Sequence, residues 1–174
     1  MKRGELEHII RVCASVTGVD EIVVIGSQSI LGRYSEAPST FLVSNEADVF
    51  AKDHPELSDL IDGTLGEGSP FHETFGYYAQ GVDESTAILP DGWKSRLVPV
   101  CSENTRGSTG LCLEPHDLVV SKALASRDKD VRFIRDALRV GLVDAATLRL
   151  RLDATDADPR LLTRARDLLA ASHD

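Results

Sequence analysis

Hydrophobic positions along this chain change period from segment to segment, and each change marks an element. Leu6, Ile9, Ile10, Cys13 and Val16 recur at three- and four-residue steps, the period of an amphipathic helix that ends near Gly18. Residues 21–25, EIVVI, form a β-branched run suited to a buried strand, which stops at Gly26-Ser27 before the helix-compatible QSILGRY. Pro38 interrupts Glu36 to Ser44, which reads as an irregular loop, and ADVFA follows as a second buried strand. Pro55 then opens a helix through PELSDLIDGTLG, because proline suits a first helical position and glycine an end.

GEGSP reads as a loop. FGYYAQGV and SRLVPV are strands separated by the turn-rich DESTAILPDGWK, so they are expected to pair as neighbours in a mixed sheet. From Glu114 onward the pattern is helical: PHDLVVSKALAS, DKDVRFIRDALRVG, DAATLRLRL and DPRLLTRARDLLAAS. The expected organisation is an α/β core over 1–113 with a mixed sheet, then a C-terminal helical region over 114–174, the two folding as one unit without internal repeats.

Length and composition fit this reading. With 174 residues, 42% apolar and 27% charged, the chain can bury one sizeable core. Charge is uneven: residues 1–121 carry 8 Lys/Arg against 19 Asp/Glu, and the remainder carries 11 against 9. A net charge of -9 disfavours a protein that grips long nucleic acid without sequence preference, since phosphate neutralisation supplies most of that affinity. It leaves room for a nucleoside triphosphate, or for a local basic patch holding one end of an RNA. Cys13, Cys101 and Cys112 form no CxxC pair and are an odd number, so reduced, buried thiols are expected. No apolar run approaches the roughly 18 residues that would cross a bilayer, and a soluble cytoplasmic protein without membrane partners is expected.

Chemistry enters in three places. The first is IGSQS, followed about twenty residues later by EADVF. A Gly-Ser turn after a buried strand lets backbone N–H groups and the hydroxyl approach a phosphate. On a strand, Glu46 and Asp48 point to the same face, so two carboxylates can share Mg²⁺ (or Mn²⁺), which takes oxygen ligands while keeping water and substrate phosphates. Taken singly, these segments equally describe a helix-leading turn and a solvated strand start; their order is what points to a metal–triphosphate site.

The second place is DLVVSKALASRDKD, with Asp117, Lys122, Arg127, Lys129 and Asp130, where a helix break after Ser126 would let long basic side chains converge on phosphate oxygens. The third is SPFHETFGYYAQG. His72, Glu73, Tyr77 and Tyr78 follow a glycine-rich turn, suiting a loop that lines a pocket where a tyrosine stacks on a base, or equally a turn capped by His72 with a tyrosine in the core. Arg160, Arg164 and Arg166 in the last helix read as a solvated face.

The succession of GS, then ExD, then DxxxxKxxxxRxKD resembles the minimal nucleotidyltransferases of the AbiEii/MenT toxin type, within the DNA polymerase β-like superfamily. The resemblance implies a polymerase β-like nucleotidyltransferase core, with Gly26, Ser27, Glu46 and Asp48 as its first motif and Lys122, Arg127, Lys129 and Asp130 as its helical motif. It further implies Mg²⁺-dependent transfer of a nucleoside monophosphate from an NTP to an acceptor hydroxyl on a tRNA 3′ end or a protein, by the toxin of a toxin–antitoxin pair with a cognate antitoxin. Glu46 and Asp48 would hold the metal and Lys122 and Asp130 would complete the catalytic set. Gly26, Ser27, Gln28, Arg127 and Lys129 would bind the nucleotide, with His72, Glu73 and Tyr77 as a pocket. Two further readings stay open. Glu46 stands where the family has aspartate and no third strand carboxylate is evident, which suits a nucleotide-binding protein without turnover; the third class is a nucleotidyltransferase that modifies a small molecule.

Overall fold

A computed structural model describes residues 1–172. The chain divides into two compact units, one built from Met1–Thr86 and Leu97–Leu113, the other from Ala87–Arg96 and the residues from Glu114 onward.

The first unit is α/β. Its elements are α1 (Arg3–Thr17), β1 (Glu21–Val24), α2 (Ile30–Arg33), β2 (Glu46–Ala51), α3 (Ser58–Leu65), α4 (Pro70–Phe75), β3 (Tyr78–Gly81), β4 (Val98–Val100) and β5 (Thr109–Cys112). The strands form one mixed sheet in the order β3-β2-β1-β5-β4. β1 runs antiparallel to β2 and parallel to β5, β2 is parallel to β3, and β4 is antiparallel to β5.

Alternation along the strands sorts their residues onto two faces. Ile22 and Val24 lie in register with Ala51 and Val49 on one side and Gly110 and Cys112 on the other, and every residue of this row is buried and either apolar or glycine. The buried stripe of α1, Leu6, Ile9, Ile10 and Cys13, covers this face. A Cβ on Gly110 would lie 2.3 Å from Ile10 Cδ1 and one on Gly81 2.1 Å from the Ser58 carbonyl oxygen, so α1 and α3 sit close on the sheet. The opposite face of β2 carries Glu46 and Asp48, which are half-buried.

Three expectations are corrected here. β3 and β4 are not neighbours but occupy opposite edges of the sheet. The segment between them is not a hairpin turn, because residues 87–96 fold with the helices. The stretch after GEGSP is also not a loop throughout. Ser69 caps α4 by accepting the His72 N–H at 3.2 Å, Pro70 opens it, and Gly76 closes it in the left-handed conformation, φ 77°. A third correction concerns the thiols. Cys13 and Cys112 are buried, and burial pushes each up to about 12, but Cys101 is exposed just past the end of β4.

The second unit is helical: α5 (Pro115–Ala125), α6 (Asp128–Arg139), α7 (Ala145–Asp153) and α8 (Pro159–Ala171). α5 packs against each of the other three. Asp117, fully buried on α5, explains why residues 87–96 belong here. It accepts from Arg96 Nε at 2.8 Å and Arg96 Nη2 at 3.1 Å, and Arg151 of α7 approaches to 3.5 Å. Arg96 Nη2 also donates to the Asp91 carbonyl at 3.0 Å, tying the segment to itself. Among the described residues, no helix is long and apolar enough to cross a membrane.

This anchoring makes a prediction. Removing one partner of a buried ion pair leaves the other without compensation, at a cost on the order of 3 kcal/mol. Asp117→Ala should therefore lower stability by roughly that amount in urea unfolding, whereas a change within about 0.5 kcal/mol, the size expected of a surface site, would show that Asp117 does not anchor the segment.

Candidate active site

The antiparallel register of β1 and β2 brings the turn after β1 beside the acids of β2. Val24 pairs with Val49, and Ile25 N–H continues the ladder by donating to the Asp48 carbonyl at 3.0 Å. The chain then leaves the sheet at Gly26, whose carbonyl accepts the Ser29 N–H at 3.0 Å to start a 3₁₀ turn over Ser27–Ser29 that runs into α2. Gly26 has φ -78° and ψ -169°, a conformation open to any residue, so its backbone does not require glycine. Space does. A Cβ there would lie 1.7 Å from Asp48 Oδ2 and 2.6 Å from Cγ, so the carboxylate rests directly on the glycine.

On the same face of the sheet, the parallel pairing of β2 with β3 sets Tyr78 beside Glu46 and Gln80 beside Asp48. The Tyr78 hydroxyl donates to Glu46 Oε2 at 2.8 Å. Burial first, and then this bond to a carboxylate, push the phenol up to about 12. The Tyr78 ring packs against His72 with centroids 4.6 Å apart, and His72 Nδ1 accepts the Gly68 N–H at 3.0 Å. Gly26, Ser27, Glu46, Asp48, Tyr78 and His72 thus form one connected neighbourhood.

Other residues singled out from the sequence lie elsewhere. The Gln28 side chain is fully buried, and its amide donates to the Phe41 carbonyl at 3.3 Å. Tyr77 points away from its neighbour: its hydroxyl meets His8 Nδ1 at 2.7 Å, within a cluster that includes Phe71 and Phe75. Glu73 is exposed on α4. Gln80 was not singled out from the sequence. The alternation of YAQG alone gives it a face but not a partner, and only pairing with β2 places it beside Asp48.

In the helical unit, the break expected after Ser126 is present. Ser126 takes the left-handed conformation, φ 50°, its N–H bonds to the Lys122 carbonyl at 2.8 Å, and Arg127 is the N-cap of the next helix. The turn draws Asp130 between two cations. Lys122 Nζ donates to Asp130 Oδ1 at 2.9 Å, and Arg127 Nε donates to Oδ2 at 2.6 Å. The Asp130 side chain is fully buried and that of Lys122 is 7% exposed, while that of Arg127 is 60% exposed. Lys122 also lies over the Phe133 ring, 4.7 Å from its centroid. Burial lowers the Lys122 pKa, with Asp130 opposing; burial raises that of Asp130, but its bonds to Arg127 and Lys122 outweigh this and hold it below the usual carboxylate range. Lys129, Arg160, Arg164 and Arg166 are exposed.

Two half-buried carboxylates beside a bare glycine backbone are a hard-oxygen donor set, which fits Mg²⁺ or Mn²⁺. No group of three His, Cys, Asp or Glu side chains able to hold a metal ion occurs among the described residues, so a metal here would complete its coordination with water and substrate oxygens.

None of the curated proteins and none of the solved structures matches this chain. A family model described as a nucleotidyltransferase of unknown function (DUF6036) matches residues 5–170, nearly the whole sequence. The glycine turn with its strand acids and the lysine–arginine–aspartate network therefore both fall within the match, and the chain belongs to this nucleotidyltransferase family.

Proposed function

We propose that the protein is a Mg²⁺-dependent nucleotidyltransferase that moves a nucleoside monophosphate from an NTP to an acceptor hydroxyl in the cytoplasm. Membership of the family supports nucleotidyl transfer in general. The observation that carries the finer reading is the contact of the Asp48 carboxylate with the backbone of Gly26, which sets an acid beside a glycine turn. Glu46 and Asp48 would hold the metal, and Gly26 and Ser27 would receive the β- and γ-phosphates through backbone N–H groups and the hydroxyl. Bound there, the metal would neutralise charge on the triphosphate oxygens.

In the transfer, the acceptor hydroxyl oxygen forms a bond to the α-phosphorus and gives up its proton to water. The bond from the α-phosphorus to the bridging oxygen breaks, and pyrophosphate leaves. The resemblance assigns the charge on the nucleotide to the helical motif. Arg127 and Lys129 are its exposed cations in this motif and would meet phosphate oxygens, while Asp130 orients the Arg127 guanidinium and Lys122 secures Asp130. The resemblance to AbiEii/MenT toxins extends the proposal to a toxin of a toxin–antitoxin pair, with a tRNA 3′ end or a protein hydroxyl as acceptor.

The test is incubation of purified protein with each α-labelled NTP, Mg²⁺ and separated RNA and protein fractions. Label is expected in one fraction, and Asp48→Ala should reduce it by roughly a hundredfold or more. Mg²⁺-dependent NTP binding without label transfer to any fraction would instead mark a nucleotide-binding protein, and label confined to small molecules the third class.

The helical motif has its own prediction. Arg127→Ala should slow transfer about a hundredfold, the cost of losing one preorganised donor, while Lys122 keeps Asp130 paired and the protein folded by circular dichroism. An unchanged rate would remove Arg127 from the reading.

A further inference from the structure

We infer that Tyr78 is a positioning residue that fixes the Glu46 carboxylate for metal binding, an inference that rests on Glu46 and Asp48 being the metal ligands. Glutamate has one more rotatable bond than aspartate, so a glutamate ligand must be held in place or lose more side-chain entropy on binding. Here it is held. The parallel register of β2 and β3 sets Tyr78 directly beside Glu46, and the phenol donates to Oε2 at 2.8 Å. Hydrogen bonds from neighbouring side chains to ligating carboxylates commonly serve this purpose.

The phenol is itself fixed. Its ring lies against His72, and His72 is set by the Gly68 N–H on Nδ1 and by the Ser69 hydroxyl on its backbone N–H. The short helix α4 thus buttresses Tyr78, and through it Glu46. This ties His72 to the carboxylates through Tyr78. It also accounts for glutamate at a position where the resembled family has aspartate: the longer acid reaches the cross-strand phenol while keeping its second oxygen for a ligand.

The experiment measures Mn²⁺ binding by electron paramagnetic resonance, in the presence of a non-hydrolysable NTP analogue, for wild type, Tyr78→Phe, Glu46→Gln, the double variant and Asp48→Ala. Melting curves confirm that each is folded. Tyr78→Phe, which removes only the hydroxyl, should weaken Mn²⁺ binding about 10- to 100-fold and have no further effect in the Glu46→Gln background. In label transfer, it should raise the Mg²⁺ concentration needed for half-maximal rate while the rate at saturating Mg²⁺ recovers. Wild-type Mn²⁺ affinity in Tyr78→Phe alongside weakened binding in Asp48→Ala would overturn the role of Tyr78 and leave the metal site standing. An equal loss with and without Glu46 would make the effect a structural one and overturn it as well. Unchanged binding in both Asp48→Ala and Glu46→Gln would overturn the metal site and the inference together.

Discussion

The Gly26 backbone and the Asp48 carboxylate share a space that a single methyl group would fill. That contact follows from the antiparallel pairing of β1 and β2, because the ladder runs to Ile25 and the Asp48 carbonyl before the chain turns away. Reversing the direction of either strand would separate the turn from the acids. The same register puts Val49 and Ala51 on the helix-covered face and Asp48 on the other. A one-residue slip would bury the carboxylates under α1 and expose the alanine and valine, so the hydrophobic core and the candidate site enforce one another.

Four acids of this protein fall into two settings. Asp117 and Asp130 are fully buried, and each is answered by two basic side chains, Arg96 with Arg151 and Lys122 with Arg127. Such groupings contribute modest net stability, because desolvation offsets attraction, but breaking one is costly, so they specify where a segment docks. Asp117 draws residues 91–96 onto α5; Asp130 locks the turn between α5 and α6 and sets the Arg127 guanidinium. Glu46 and Asp48 differ. They are half-buried on a strand face, Glu46 accepting from the Tyr78 hydroxyl and Asp48 lying against the Gly26 backbone.

Much of this was legible in the sequence. The periodicity of Leu6 to Cys13, the β-branched EIVVI and the Gly26-Ser27 stop predict α1, β1 and the turn, and the EAD alternation places Glu46 and Asp48 on one face. The helix break expected after Ser126 is present, with Ser126 itself in the left-handed conformation. What the sequence did not show depends on pairing between distant segments. β3 and β4 read as paired neighbours because a turn-rich segment separates two strand-like runs; the Arg96–Asp117 pair that removes the intervening segment joins residues whose spacing carries no local signal. The roles of Tyr77 and Tyr78 are equally indistinct from composition. Adjacent on a strand edge they point opposite ways, one to His8 and the other to Glu46, and only the strand order says which is which.

The central claim is that metal and triphosphate meet at the β1–β2 turn. A crystal grown with Mn²⁺ and a non-hydrolysable NTP tests it directly, since anomalous scattering locates the metal independently of the protein density. The account predicts a Mn²⁺ peak within ligand distance of Asp48 and Glu46 carboxylate oxygens, with phosphate oxygens over the Gly26-Ser27 backbone. A bound nucleotide with its metal distant from both carboxylates, and no phosphate at the glycine turn, would contradict it.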